Sequence, residues 1–339
     1  MADLQEPDGP AGGPVLTSSP SALSQRGQSS PSVSERVAIL LSTYNGERFL
    51  AEQLNSLIAQ THQDWTIYAS DDGSSDATLE ILRTYRQQLG PDRLILLKGP
   101  RQGFAANFLS LLRHEQFNEP YFAFCDQDDL WSPERLSIGL EWIRQIPAEQ
   151  PALFCSRTEL IDTHGQPIGL SPLFLRSPSF RNALVQSIAG GNTMLFNEAT
   201  RALLAATHQA SRVISHDWWA YILVSGCDGT VHYEPTPCVS YRQHAGNLMG
   251  SNASYRDRLT RLRKLFAGTF SEWNDANLEA LEPILDKLSP GSRQTLDLFA
   301  EGRKAPFLKR LGLIYKAGIY RQTIQGNLGL ILATLLRRL

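Results

Sequence analysis

Three carboxylates crowd into four positions where an apolar run stops: Tyr121-Phe-Ala-Phe-Cys125 passes directly into Asp126-Gln127-Asp128-Asp129. Carboxylates a few ångströms apart repel and raise one another's pKa unless a cation or strong donors keep them ionised. Such a cluster at a strand end suits a hard divalent metal. The same residues also suit a solvated turn whose aspartates cap a following helix, since Ser132-Pro133-Glu134 reads as a helix start. The segment alone leaves both readings open.

Its surroundings are regular. Val37-Ala-Ile-Leu-Leu-Ser-Thr43 predicts a buried strand, and Glu47 to Gln60 a helix with Phe49, Leu50, Leu54, Leu57 and Ile58 at helical spacing. The cycle repeats with strands at Trp65–Ser70, Leu94–Leu97 and Tyr121–Cys125, and helices at Ser75–Leu89 and Phe104–Glu115. Continuous apolar strands alternating with helices predict an α/β fold with right-handed crossovers and a mostly parallel central sheet. In such sheets ligands bind beyond the carboxyl ends of the strands. Four polar segments fall there: Thr43-Tyr-Asn-Gly-Glu47, Asp71-Asp-Gly-Ser-Ser-Asp76, Pro100-Arg-Gln-Gly-Phe-Ala-Ala-Asn107 and Asp126 to Asp129. A lone Asp-Asp-Gly-Ser is commonly a capped turn, but four such strand ends facing one crevice form a candidate site.

Beyond Pro147 the pattern loosens. Strands are expected at Ala152–Cys155, Gly190–Phe196, Thr230–Tyr233 and Cys238–Arg242, a helix at Glu198–His208, and an apolar helix opening at Ser215-His216-Asp217-Trp218-Trp219. The 339-residue chain is long enough for a large core, and its net charge of -2 makes no case for a nucleic-acid partner. Residues 1–34 are rich in Ser, Pro and Gly and read as a disordered tail without a secretory signal. Cys125, Cys155, Cys227 and Cys238 form no C-x-x-C pair and read as reduced residues of a cytosolic protein. Residues 35–253 are then the α/β domain and 254–339 a helical, basic segment. From Gly302 onward there are eight Lys and Arg and no acidic residue. That composition suits either a membrane-surface amphipathic helix or a subdomain packed on the core with a cationic outer face. Leu328 to Leu336 is too short to span a bilayer, which takes roughly 20 apolar residues.

The ordered set resembles the family 2 glycosyltransferases of GT-A fold, and among them the bacterial rhamnosyltransferase-like branch that builds cell-surface polysaccharide. The matching segments are Leu41-Ser-Thr-Tyr-Asn-Gly-Glu47, Ser70-Asp-Asp-Gly-Ser-Ser-Asp76, Gly103-Phe-Ala-Ala-Asn-Phe108, Phe124-Cys-Asp-Gln-Asp-Asp-Leu-Trp131, Gly190-Gly-Asn-Thr193, His216-Asp-Trp-Trp219 and Tyr241-Arg-Gln-His244 with Asn247. They run in the family's order across about residues 36–250.

The resemblance implies an inverting, metal-dependent transfer of a sugar from a nucleoside diphosphate donor to a saccharide or lipid-linked saccharide acceptor. Thymidine diphosphate rhamnose is the favoured donor, on the pattern of residues 126–131 and 241–244. It implies Mg2+ or Mn2+ ligated by Asp128, with His244 as a further metal or diphosphate contact and Asp126 against ribose or metal-bound water. Thr43, Tyr44, Glu47, Asp71, Asn107 and Gln127 would hold the nucleotide sugar, Asp71 by accepting the pyrimidine imide N–H. Asp217 matches the family's base, which takes the acceptor hydroxyl proton; His216 stands where the family commonly has a carboxylate. Trp131, Asn192 and Trp218 are candidate acceptor contacts. Asp129 is left as the helix cap before Ser132-Pro133. Peripheral contact with the inner face of the membrane would suit a lipid-linked acceptor.

Two other readings compete. A nucleotidyltransferase also holds Mg2+ on a nucleotide, but its usual Gly-rich, cationic phosphate loop is missing from Ser42-Thr-Tyr-Asn-Gly-Glu47. A non-catalytic sugar-nucleotide-binding subunit of a membrane complex would not need Asp126, Asp128 and Asp217 together.

Overall fold

Strand β1 (Val37–Thr43) shows how the core is divided. Its odd residues Val37, Ile39 and Leu41 pack with Leu50, Leu54 and Leu57 of helix α1 (Leu50–Ile58), whereas Ala38 and Leu40 join Phe108, Leu111 and Leu112 of helix α3 (Phe104–Leu112). Alternate side chains of a strand point to opposite faces. A strand apolar at every position must therefore be covered on both sides.

The structure, a computed structural model, describes residues 35–208, 212–244 and 269–339. Strands β2 (Trp65–Asp71), β3 (Leu94–Lys98) and β4 (Tyr121–Cys125) complete a parallel half-sheet ordered β3-β2-β1-β4, with helix α2 (Thr78–Leu89) between β2 and β3 in the chain. Thr43 pairs with Asp71 at the end of β1 and β2, and Leu41 with Cys125 at the end of β4. The chain winds one way from β1 through β3 and returns on the other side of β1 at β4. The switch point of the sheet thus lies between the ends that carry Thr43 and Asp126.

The other half is mixed. Strand β8 (Leu195–Asn197) lies antiparallel to both β4 and β6 (Ala152–Ile161), and β9 (Thr230–Arg242) runs parallel to β6. The hairpin strand β7 (Pro167–Leu170) pairs with β6, and the two-residue β5 (Leu130–Trp131) with β9. The two strands expected over 230–242 are one strand with a register shift opposite Ser156 to Thr158. The strand expected from Gly190 begins instead as a 3-10 turn, Gly191–Thr193.

Helices α4 (Arg135–Ile143), α5 (Phe180–Ala183), α6 (Glu198–Ala205) and α7 (His216–Gly226) cover the sheet. Every residue of α7 from Trp218 to Val224 is buried. A helix apolar all round needs cover on two sides. The sheet supplies one through Leu153 and Cys155. The other comes from α8 (Thr269–Leu281), α9 (Pro290–Lys304), α10 (Phe307–Ala317) and α11 (Ile324–Leu335), which add Leu281, Leu296, Phe299 and Ile314 to the same cluster. Residues Ser34–Leu339 belong to one compact unit. The expected tail and the expected boundary at residue 253 lie outside the described residues. Among the described residues no helix is long and apolar enough to cross a membrane.

Asn107 fastens α3 to the strand ends. Its Nδ2 donates to Ser42 Oγ at 2.7 Å and to the Ser70 carbonyl at 2.9 Å, and its Oδ1 accepts from Ser70 Oγ at 2.6 Å. A Cβ on Gly99 would come within 2.7 Å of that Oδ1, so only glycine lets the end of β3 approach. Replacing Asn107 by Ala strands the Ser42 and Ser70 groups in a dry site. The expected result is a loss of about 2–3 kcal/mol in urea unfolding with an unchanged slope.

Candidate active site

The loop after β1 is stapled to its neighbours before any ligand arrives. Gln127 Oε1 accepts from the Tyr44 N–H, and Gln127 Nε2 donates to the Tyr44 carbonyl, both at 2.9 Å. A Cβ on Gly46 would overlap the Gln127 amide, which explains the glycine in that loop. Glu47 and Asp76 form a reciprocal pair: the Glu47 N–H donates to Asp76 Oδ2, and Glu47 Oε2 accepts from the Ala77 N–H at the start of α2. Asn45 Oδ1 takes the Ser75 N–H at 2.9 Å.

Asp71 is fully engaged. Its oxygens accept from Thr43 Oγ1, Ser74 Oγ and the N–H groups of Gly73 and Ser74. Four donors fill the acceptor capacity of a carboxylate. Asp71 therefore shapes its own turn here, and an imide N–H could enter only by displacing one of these donors. Asp72, which the sequence reading passed over, takes the N–H groups of Arg101 and Gly103 at 2.6 and 2.8 Å and so sets the loop entering α3. The glycine at 103 was the one local cue; the structure puts Gly103 at φ 91° and Arg101 at φ 60°. Of the expected nucleotide contacts, Tyr44, 58% exposed, and Glu47 present open side chains.

Several expectations are corrected by burial. Asn107 is inaccessible and spent on Ser42 and Ser70, so it does not face a diphosphate. Asp129 caps no helix: α4 begins after Glu134 without a side-chain cap, and Asp129 sits fully buried, accepting from Asn192 Nδ2 at 2.6 Å and the Arg242 N–H at 3.0 Å. Asn192 is accordingly a support of the cluster and not an open acceptor contact. Trp131 lies under the guanidinium of Arg135, 3.5 Å from ring centroid to Cζ, and is buried. Trp218 is anchored in the core by Nε1 donating to the Ala183 carbonyl at 2.6 Å. Asn247 lies outside the described residues.

What converges is a set of carboxylates. Asp128 Oδ2 and His244 Nε2 are 2.8 Å apart. Burial and then the Asp128 charge push Asp129 up to about 8, against the pull of Asn192 and Arg242. Asp126 is driven well above the usual carboxylate range by burial and by the charges of Asp129, Asp128 and Asp217. Its carboxylate has no hydrogen-bond or ion-pair partner among the described residues. The first turn of α7 lies beside β4, with the His216 and Phe124 ring centroids 4.6 Å apart. There Asp217 Oδ1 accepts the Trp218 N–H at 2.6 Å, at a helix N-terminus that favours negative charge.

Two buried cations hold the turn. The inaccessible Arg242 donates from Nε to the Asp128 carbonyl at 3.0 Å and from Nη2 to Glu52 at 2.7 Å. Arg135 donates to the carbonyls of Asn192 and Met194. Burial lowers its pKa to about 10, while Cys125, Cys238 and Asp129 oppose the shift. Neither arginine was singled out from sequence, because an arginine in a strand or a helix start carries no local signal of burial.

Among the described residues no three His, Cys, Asp or Glu side chains form a preformed metal cage. The donor set nevertheless fits a hard divalent cation. Asp128 and His244 converge, Asp126 is an uncompensated carboxylate beside them, and such ions commonly use one or two protein carboxylates, with substrate phosphate and water completing the shell.

Residues 38–204 match the family model described as glycosyl transferase family 2. The dTDP-rhamnosyl transferase RfbG of Shigella flexneri is 26% identical over 232 residues, covering 66% of this chain and 78% of that protein. The putative teichuronic acid biosynthesis glycosyltransferase TuaG of Bacillus subtilis is 22% identical over 219 residues, covering 64% and 82%. Among solved structures, TarS residues 1–349 of S. aureus in complex with UDP-GlcNAc superposes with a TM-score of 0.50 at 16% identity, covering 84% of this chain and 93% of that one. At that identity the likeness speaks to the GT-A fold alone.

His216 generates a prediction of definite sign. Its ring stacks on Phe108 at 3.9 Å and meets Phe124 edge-on at 4.6 Å, neither nitrogen has a hydrogen-bond partner among the described residues, and a Cβ on Gly191 would overlap Nε2. Burial lowers its pKa from 6.5 to about 4, partly offset by Asp217. The folded chain thus holds a neutral imidazole where the unfolded chain gains a proton. Stability from this group is present above pH 6.5 and lost as pH falls toward 4. Urea unfolding at neutral pH and near the bottom of that window should show wild type losing on the order of 3 kcal/mol more than His216→Phe. Equal acid losses would contradict a neutral buried ring.

Proposed function

The chain carries a glycosyl transferase family 2 domain and is a glycosyltransferase; from that premise we propose that it transfers a sugar with inversion from a nucleoside diphosphate donor to a saccharide hydroxyl. The observation that carries the reading is the meeting of Asp128 Oδ2 and His244 Nε2 at 2.8 Å, next to an Asp126 carboxylate that no described residue pairs, at the switch point of the sheet. A donor diphosphate and an acceptor base must be held close together, and the helix turn that carries Asp217 packs on β4 through the rings of His216 and Phe124, 4.6 Å apart.

Asp217 is the proposed base. Set in the first turn of α7, its carboxylate accepts the acceptor hydroxyl proton as that oxygen bonds to the anomeric carbon and the bond from that carbon to the diphosphate breaks. One displacement inverts the anomeric centre, and the electron pair leaves with the diphosphate. Asp128 and His244 would hold Mg2+ or Mn2+, with Asp126 against its water shell or the ribose. Bound there, the cation supplies positive charge opposite the leaving diphosphate. Thr43 and Asp71 shape the nucleotide loop, Gln127 and Glu47 hold it in place, and the exposed Tyr44 ring is the proposed cover for base or ribose.

Rhamnose from thymidine diphosphate rhamnose is the proposed donor sugar, supported by the likeness to the Shigella protein named as a dTDP-rhamnosyl transferase. A saccharide or lipid-linked saccharide acceptor in polysaccharide synthesis is supported by the relative named for teichuronic acid biosynthesis. Such donors are made inside the cell, so the proposed place of action is the cytoplasm, at the inner face of the membrane where the acceptor is lipid-linked.

Incubation with a panel of nucleoside diphosphate sugars, Mn2+ and a lipid-extract acceptor pool, read by mass spectrometry, should show selective consumption of the rhamnose donor. Selective use of another sugar would overturn the donor assignment. Asp217→Asn should lower kcat by about 100-fold to 10,000-fold with donor affinity held within about twofold. A fully active Asp217→Asn enzyme would sink the base assignment.

Asp128→Ala should weaken Mn2+-dependent donor binding on the order of tenfold or more by calorimetry, as loss of a metal-ligating carboxylate requires. Unchanged affinity in that variant, with and without a chelator, would remove the metal from the reading.

A further inference from the structure

Helices α10 and α11 each have two apolar faces. Ile314 and Ala317 of α10, and Leu330 and Ala333 of α11, are buried in the core cluster that holds α7. On the outward side, Leu308 and Tyr315 of α10 are 80% and 86% exposed. On α11 an outward row runs through Ile324, Leu328, Ile331 and Leu335 at steps of four, three and four residues, from 83% to 41% exposed. That spacing keeps all four on one side of the helix. The two helices are fastened to each other by the buried Arg310, whose Nη1 donates to the Thr334 carbonyl at 3.0 Å. Folding onto the core therefore satisfies one side of each helix and leaves large aliphatic side chains in water on the other.

The charged side chains that α10, α11 and their flanks carry are all cationic. Lys304, Lys316, Arg337 and Arg338 are exposed, Lys309 reaches back to Glu301 at 2.7 Å, and no acidic residue occurs from Gly302 to Leu339. We infer that the outward face of α10 and α11 docks on an anionic lipid bilayer, with the aliphatic row in the headgroup boundary and the cations on the lipid phosphates. Aliphatic rows bordered by Lys and Arg are the composition that binds such an interface. A second copy of this chain is the poorer occupant, because it would bring a cationic face against a cationic face. The 12 residues of α11 extend about 18 Å, well short of the ~30 Å hydrocarbon core, so the helix lies along the surface and not through it. The inference does not depend on which sugar the site transfers.

Flotation of the full chain with vesicles tests it. Vesicles of phosphatidylcholine mixed with phosphatidylglycerol should carry the protein up the gradient, phosphatidylcholine alone should not, and added salt should release it. Two double variants separate the two contributions: Leu328→Ser with Ile331→Ser removes apolar area, and Arg337→Gln with Arg338→Gln removes charge. Each should lower the partition coefficient on the order of tenfold, with far-UV circular dichroism and melting temperature unchanged. Recovery that is absent, equal on the two vesicle types, or unaltered in both variants would overturn the inference. So would concentration-dependent dimerisation that the apolar variant abolishes, which would assign the face to a second copy.

Discussion

The crowding of three carboxyl groups at the end of β4 is the constraint that the rest of the site answers to. Asp126, Asp128 and Asp129 follow a strand buried from Phe122 to Cys125, and Asp129 itself is inaccessible, so the turn cannot be fully solvated. Two arginines brought from elsewhere in the chain meet that demand. Arg242, itself inaccessible, gives its N–H to Asp129 and its guanidinium to the Asp128 carbonyl and Glu52. Arg135 holds the carbonyls of Asn192 and Met194, and Asn192 in turn bonds Asp129. Removing one partner from such a network leaves a buried charge uncompensated, which costs more than the network contributes when intact. The unequal outcome matters for chemistry. Asp129 is satisfied by protein donors, whereas Asp126 is left to whatever binds.

The loops around this charge are built as a frame. Gln127 with Tyr44, Glu47 with Asp76, Asp71 with Ser74 and Asp72 with Gly103 join segments that are local in sequence only in the case of Asp71. In each pair a polar side chain satisfies a backbone N–H of a loop, in the case of Asp71 the N–H of Ser74. A site arranged in this way needs little reordering when a nucleotide arrives. Behind it, α7 carries Asp217 on a helix that is buried on all sides between the sheet and the C-terminal helices. The position of that carboxylate therefore depends on packing some distance from it, through Leu281, Leu296 and Phe299.

The parallel half of the fold was legible because a strand buried on two faces must be apolar at consecutive positions, and Val37–Leu41, Ile67 and Phe122–Cys125 are. The mixed half was less so. Strand β5 has two residues, β8 has three, and the turn at Gly191–Thr193 uses the same apolar and small residues as a strand. Short elements carry too little periodicity to be distinguished. The candidate site shows the same division. That polar segments gather at the strand ends follows from the order of the elements, and at one such end Asp128 meets His244.

The roles of individual polar residues were a different matter. Asp71, Asn107, Trp131, Asn192 and Trp218 read from sequence as groups open to a ligand, and the tertiary structure commits each of them to a partner inside the protein. Asp129 read as a cap and is instead the most enclosed carboxylate of the cluster. Residue order and hydrophobic period determined where the crevice must be, because strand pairing and crossover follow from local pattern. Which carboxylate is left open within it was decided only in three dimensions. The donors that fill Asp129 come from positions 63 and 113 residues away, and no local pattern records the arrival of a distant hydrogen bond.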